Sequence, residues 1–370
     1  MKKITNEIRL KDAIYNHRAL QKHLKEKNYT LKHKRIQFVT PTKLVKLPVE
    51  ISLDTSKCRD ELLHVIELLH EKAKELRNRQ QVKNKKLKVD FTAVNLMVAA
   101  GTLLLMAELR NMANIYPDVR LECVSPRSNR NKQVLIQLGF QEFMRGVKKV
   151  DTSRQDVVNW RVARGVKANA QECGNIIMDC VGTAAPSLAK PFFRAVTEAM
   201  TNTVQHAYIE NIPLSDFRPV ASDKEGWWMF SQEIGDEITM VFCDLGHGIP
   251  NTLPVRHPGL MEYIESETML DKAKEKVKHT LLSDASIIAG IIDKPYTRTK
   301  APHRGLGLLK DICGFINSIG NSGRVNILSN KGQYESIKDG NKRESTPRNH
   351  KKSIHGTLIA LHVRVSTGGE

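Results

Sequence analysis

The sequence predicts an α/β protein made of two successive α/β units, and two observations predict it. Between residues 36 and 150, apolar residues switch between strand and helix spacing in the order strand, helix, strand, helix. Between 186 and 365, a helical stripe, a buried strand, two glycine loops and a last strand follow one another. The chain has 370 residues, enough for two domains of ordinary size, and 40% of them are apolar, enough for real cores.

Residues 1–35 form a basic arm with eleven Lys or Arg against three acids. Leu10, Ile14, Ala19 and Leu24 give it a weak helical stripe. A solvated surface helix and an arm for nucleic acid or a partner both fit it. In the first unit, 36–150, Ile51–Leu53 reads as a short strand. Leu62, Leu63, Ile66, Leu69 and Ala73 place a helix over Cys58–Asn78. Leu87–Phe91 reads as a strand and the apolar stretch 94–114 as a buried helix. Val119–Val124 alternates as a strand, and Asn131–Leu138 is a helix stopped by Gly139. Residues 151–185 read as a mixed, partly helical connection.

This order resembles the STAS domain of anti-sigma-factor antagonists. The resemblance rests on VDFTAVNLMVAAGTLLLMAELRNM, the following strand and VLIQLGF, about a third of the chain. In the antagonists a phosphorylatable serine precedes the glycine that opens the helix. Here the stretch is Val98-Ala99-Ala100-Gly101, with no hydroxyl, so the resemblance implies no phosphorylation switch at that place. It does imply a protein partner for this unit.

The chemistry lies in residues 186–365. In PFFRAVTEAMTNTVQHAY, residues 191–208, Phe192, Phe193, Val196, Met200, Val204 and Ala207 form an apolar helical stripe. Glu198 and Asn202 are four apart and share one face. An amide oxygen suits Mg²⁺, and a carboxylate one turn away can take a proton from an attacking water or hydroxyl. Next, Met240–Cys243 reads as a buried strand running into Asp244-Leu-Gly246-His-Gly248-Ile249-Pro250. A carboxylate at a strand end can accept from an exocyclic amine such as adenine N6, and glycines let the backbone approach a flat base. Then Gly305 and Gly307 open a helix through Leu308, Leu309, Ile312 and Ile316. Free N–H groups at such a start favour phosphate.

ExxxN on a helix, DxGxGIP after a strand and GLGL before a helix is the ordered signature of the GHKL superfamily of gyrase, heat-shock chaperones, histidine kinases and MutL. The resemblance covers 186–365 and implies a two-layer α/β sandwich that binds ATP and Mg²⁺. It makes Glu198 the catalytic base and Asn202 the metal ligand. Asp244 becomes the reader of adenine, with Gly246, Gly248 and Ile249 beside the base. Arg304, Gly305, Leu306, Gly307 and Leu308 form the phosphate side, and Thr357 closes the site from the last strand, Leu358–Val363. His206 follows Asn202 by one turn, as in the anti-sigma-factor kinases, and is a candidate for phosphate or lid contact. A packed or surface histidine fits it equally. His247 is expected to be exposed. Segment 251–304 corresponds to an ATP lid, with Arg298, Lys300 and Arg304 as candidate cations. Histidine kinases usually carry Asn where Glu198 stands, and no acceptor-histidine helix precedes it. The resemblance leaves an ATP-hydrolysing conformational switch, a serine/threonine kinase of the anti-sigma-factor type, and an ATP-gated nucleic-acid effector. It also implies a homodimer around ATP.

Composition narrows the setting. Lys and Arg number 58 against 40 acids, a formal charge of +18, which attracts polyanions. The Lys/Arg-rich segment Lys342–Lys352 reads as an irregular insertion that could contact nucleic acid. The six cysteines form no CxxC pair, so a reduced, cytoplasmic setting is the expectation. MKKITNEIRLKD has no apolar core of a signal peptide, and the Ala93–Leu109 run is too short to span a bilayer.

Overall fold

The structure is a computed structural model that describes residues 22, 42–79, 84–167, 170–177, 186–209, 226–274, 282–293, 314–315 and 322–364. The chain divides into two units, Met1–Pro41 and Thr42–Glu370. In the first unit only Lys22, a helical residue, is described.

The second unit begins with three parallel strands in the order β1-β3-β5: β1 Thr42–Lys46, β3 Lys85–Asp90 and β5 Val119–Val124. Helix α1, Ser56–Arg77, starts at Thr55, whose hydroxyl accepts from the Cys58 N–H. Its buried face is Leu62, Leu63, Ile66, Leu69 and Ala73, the stripe expected from spacing. Helix α2, Ala99–Ile115, is buried on nearly every side. That explains the unbroken apolar run, because a helix apolar all round needs cover all round. Gly101 is fixed by contact: a Cβ there would stand 2.8 Å from the Ser52 N atom in the chain just past β2, Glu50–Ile51. Helix α3, Asn129–Gln137, stops at Gly139, which takes φ +73°.

The rest is organised by seven antiparallel strands in the order β11-β10-β9-β12-β8-β7-β6. They are β6 Arg161–Gly165, β7 Trp227–Ile234, β8 Glu237–Asp244, β9 Ser322–Ser329, β10 Gly332–Asp339, β11 Lys342–Asn349 and β12 Thr357–Arg364. Met240 and Phe242 point to one face of β8, where they join Phe192, Ile288 and Ile292 of two helices. Val241 and Cys243 point to the other face, into the core formed with Leu103, Leu104 and the N-terminal strands. Helix α2 packs directly on β7, β8 and β12. Both faces of the sheet are therefore covered, and Thr42–Glu370 forms one compact unit.

The mixed, partly helical stretch 151–185 contains α4, Gln155–Val158, and α5, Ala170–Ile177, and also supplies an edge strand, β6. Other expectations need correction. Lys342–Lys352 is not an irregular insertion. Asp339-Gly340-Asn341 turns the chain, with Gly340 at φ +57°, and β11 pairs along its whole length with β10. All eight residues of β11 are exposed, so no apolar alternation marked it as a strand. The helix α6, Pro186–Asn202, gives way to a π-helical turn, Thr203–Ala207, which rotates Val204 out to 47% exposure. Within the expected lid lie three helices: α7 Ile249–Arg256, α8 Pro258–Lys274 and α9 Asp284–Asp293. No helix among the described residues is long and apolar enough to cross a membrane.

Candidate functional site

Strand β8 delivers Asp244 to its C-terminal end, and β12 delivers Thr357 opposite it, as register partners. Asp244 is 5% exposed. Its Oδ1 accepts from Gly246 N at 2.9 Å and from Thr357 N at 3.3 Å. The Thr203 hydroxyl lies 3.4 Å from Oδ2 and 3.0 Å from the Ala199 carbonyl. The carboxylate is thus held in place by backbone on two sides.

The glycines around it are fixed by crowding. A Cβ on Gly246 would stand 2.4 Å from the Ala207 carbonyl oxygen, and one on Gly356 2.3 Å from the Asp244 carbonyl oxygen. Gly248 has φ +80°, and a Cβ there would fall 2.5 Å from Asn330 Oδ1. His247 between them is buried, not exposed as expected. Its N–H donates to Ala207 O at 2.7 Å and its carbonyl accepts from Asn330 Nδ2 at 3.0 Å. The π-helical turn brings Ala207 to that loop, so the end of α6 and the loop after β8 are locked together. Ser329 joins the set: its hydroxyl accepts from Ile249 N at 2.8 Å and lies 3.1 Å from the Thr357 hydroxyl.

These elements line a cleft with about 80 Å³ of room. Asp244 is at its floor, and Ala199, Phe242, Leu253, Ile291 and Ile359 supply apolar walls. Asn202, His206, Gly248, Ile249 and Thr357 also line it, so six of the expected residues converge. Gly246 packs behind, on Ala207. Glu198 lies one turn before Asn202, and its Oε1 accepts from Asn202 Nδ2 at 3.2 Å. The same Nδ2 donates to the Glu198 carbonyl at 2.9 Å, which leaves Asn202 Oδ1 as the atom for a cation. A single amide oxygen is a ligand of the kind Mg²⁺ accepts, since that cation keeps waters and takes few protein ligands. Among the described residues no group of three His, Cys, Asp or Glu could hold a metal alone. Arg298, Lys300, Arg304, Gly305, Leu306, Gly307 and Leu308 lie outside the described residues.

No family model matches the chain, and no curated protein does. The site therefore has to speak through its own chemistry.

At the mouth stands a group that spacing did not reveal. Arg256 and His257, at the C-terminal end of α7, line the cleft across from His206. The two imidazoles meet edge to face with centroids 5.6 Å apart. Burial, then the charges of His257 and Arg256, holds His206 below the ordinary imidazole range, and its Nδ1 is buried without a partner. Burial, then Arg256, does the same for His257. Neither imidazole nor Arg256 has an acid paired with it among the described residues. A carboxylate floor, apolar walls and an unpaired basic mouth suit a ligand with an amine at one end, a flat apolar body and an anion at the other.

Proposed function

We propose that the chain binds ATP in this cleft and hydrolyses it with Mg²⁺, as a conformational switch that alters how its N-terminal part meets a partner. The observation that carries the reading is the Asp244 carboxylate, fixed at the floor of the same apolar cleft that Asn202 lines. The order of the three motifs supports it, because it resembles the GHKL superfamily. The parallel strands β1, β3 and β5 with their helices are consistent with the STAS-like reading of the N-terminal part.

In this reading Asp244 accepts from adenine N6, and the close-packed Gly246–Gly248 backbone leaves room for the ring. His206, Arg256 and His257 attract the phosphates. Asn202 Oδ1 is the protein ligand to Mg²⁺, which neutralises phosphate charge when bound. Glu198 orients the attacking water and takes its proton, while its bond with Asn202 keeps base and metal ligand in fixed relation. The +18 charge supports a polyanionic or acidic partner, and the cysteine usage a cytoplasmic setting.

The test is incubation of the purified protein with γ-labelled ATP and Mg²⁺. Free phosphate is the expected product. Glu198→Gln should lower its release by about 100-fold or more and spare ATP binding. Label transferred to protein would replace hydrolysis with the kinase reading, and hydrolysis at full rate by Glu198→Gln would remove Glu198 as the base.

A further inference from the structure

Arg59 is the one charged residue among the largest side chains that the described fold buries completely. It lies in the first turn of α1. Its Nη1 donates to Lys352 O at 2.8 Å and its Nη2 to Asn330 O at 3.3 Å, while Nε is buried without a partner. Burial lowers its pKa to about 10, against the pull of neighbouring Asp60. No carboxylate among the described residues is ion-paired with it. Burying a guanidinium that no carboxylate ion-pairs among the described residues costs stability, which its two hydrogen bonds to backbone carbonyls offset only in part.

Its two acceptors explain why it is there. Asn330 makes the turn between β9 and β10 with φ +51°. Its N–H donates to Gly356 O at 3.2 Å, and its carbonyl takes both Arg59 and the Ile354 N–H. Its side chain donates to His247 O and fills the space beside Gly248. Lys352, the other acceptor, is ion-paired with Glu67 two turns further along α1. An unbroken run of contacts therefore leads from α1 to the glycine loop of the cleft.

We infer that Arg59 is a positioning residue for the cleft: α1 holds the Asn330 turn, and the Asn330 turn holds the Gly246–Gly248 loop. This rests on the nucleotide reading of that cleft. It makes the N-terminal part a regulator of nucleotide affinity. A partner that shifts α1 changes affinity for nucleotide, and nucleotide changes affinity for that partner by the same factor.

The experiment compares the full chain with Arg59→Met, Arg59→Lys and Asn330→Asp. It reads melting temperature, hydrogen exchange of residues 245–250 without nucleotide, and ATP affinity by calorimetry. Arg59→Met takes the donor from the Lys352 and Asn330 carbonyls, so it should melt lower than the native chain, exchange faster in 245–250, and bind ATP about 10-fold more weakly. Arg59→Lys should recover part of that loss. Asn330→Asp keeps the Arg59 contact but cannot donate to His247, so it should weaken ATP to a similar degree. Native exchange and native affinity in Arg59→Met and Asn330→Asp would overturn the inference. A native chain that binds no ATP would sink the nucleotide reading, and the exchange arm would still decide whether Arg59 holds the loop.

Discussion

The floor and the mouth of the cleft are built in different ways. At the floor, Asp244 is held by two backbone N–H groups, and three glycines sit where no Cβ fits. At the mouth, His206, Arg256 and His257 crowd three basic groups together, with no acid paired to them among the described residues. The floor is finished before any ligand arrives. The mouth is basic and partly open to solvent, with Arg256 exposed. A site of this kind recognises one end of its ligand by shape and hydrogen bonding and the other by charge, and the two ends should fail differently.

The largest effect should come from the floor. Gly246→Ala drives a methyl against the Ala207 carbonyl, and neither is a flexible side chain that can yield. Overpacking of this kind costs about 1–3 kcal/mol of folding stability, and the displaced loop should bind adenosine and ATP alike about 10-fold or more weakly. Calorimetry with both ligands checks it, and an unchanged affinity would mean that the loop is not part of the base pocket.

The mouth should show a smaller and more selective effect. Arg256→Gln removes a charge-assisted contact, so ATP affinity should fall by about 10-fold. Adenosine, which has no phosphate, should bind as before. Equal losses for both ligands would erase the distinction between the two ends.

The smallest effect should come from pH, with opposite signs for binding and for folding. His206 and His257 are held below the ordinary range, by burial first and then by neighbouring positive charge, and a polyphosphate would offset the charge part by adding negative charge. ATP affinity should therefore rise a few-fold as pH falls from about 7.5 to 6, while adenosine affinity stays level. Folding goes the other way. His350 is lowered to about 4, by burial first and then by Arg59, and His362 is also lowered by burial. The unfolded chain binds more protons than the native one between about 6.5 and 4, so stability falls as pH drops through that window. The melting temperature should be lower at about pH 5 than at pH 7.5, and His350→Gln should flatten the change. A melting temperature that rises on acidification would contradict the sign.

The same contrast marks what the sequence made legible. Glu198, Asn202, Asp244, the glycines after it and Thr357 stand at spacings that a helix face, a strand end and a close-packed turn require. Arg256 and His257 were not visible, because their place depends on how α7 packs against the π-helical turn. Neither a motif nor a periodicity encodes that packing. Arg59 was hidden for the same reason: its acceptors lie 271 and 293 residues away. The run Met240–Cys243 did carry a signal of wider use. A strand apolar on both faces needs cover on both, and α2 with the N-terminal strands supplies the second face. By contrast, β11 gave no apolar signal, because it lies at the sheet edge with both faces wet.

The most direct measurement is the discrimination between ATP and GTP in the native chain and in Asp244→Asn. Adenine offers an amine to the Asp244 carboxylate and guanine offers a carbonyl oxygen in its place. A hydrogen bond to a charged group contributes about 1.5–3 kcal/mol, so the native chain should prefer ATP by about 10- to 100-fold, and Asp244→Asn should lose most of that preference. Equal affinity for ATP and GTP in the native chain, or a preference that survives Asp244→Asn, would contradict the placement of adenine at the floor of this cleft.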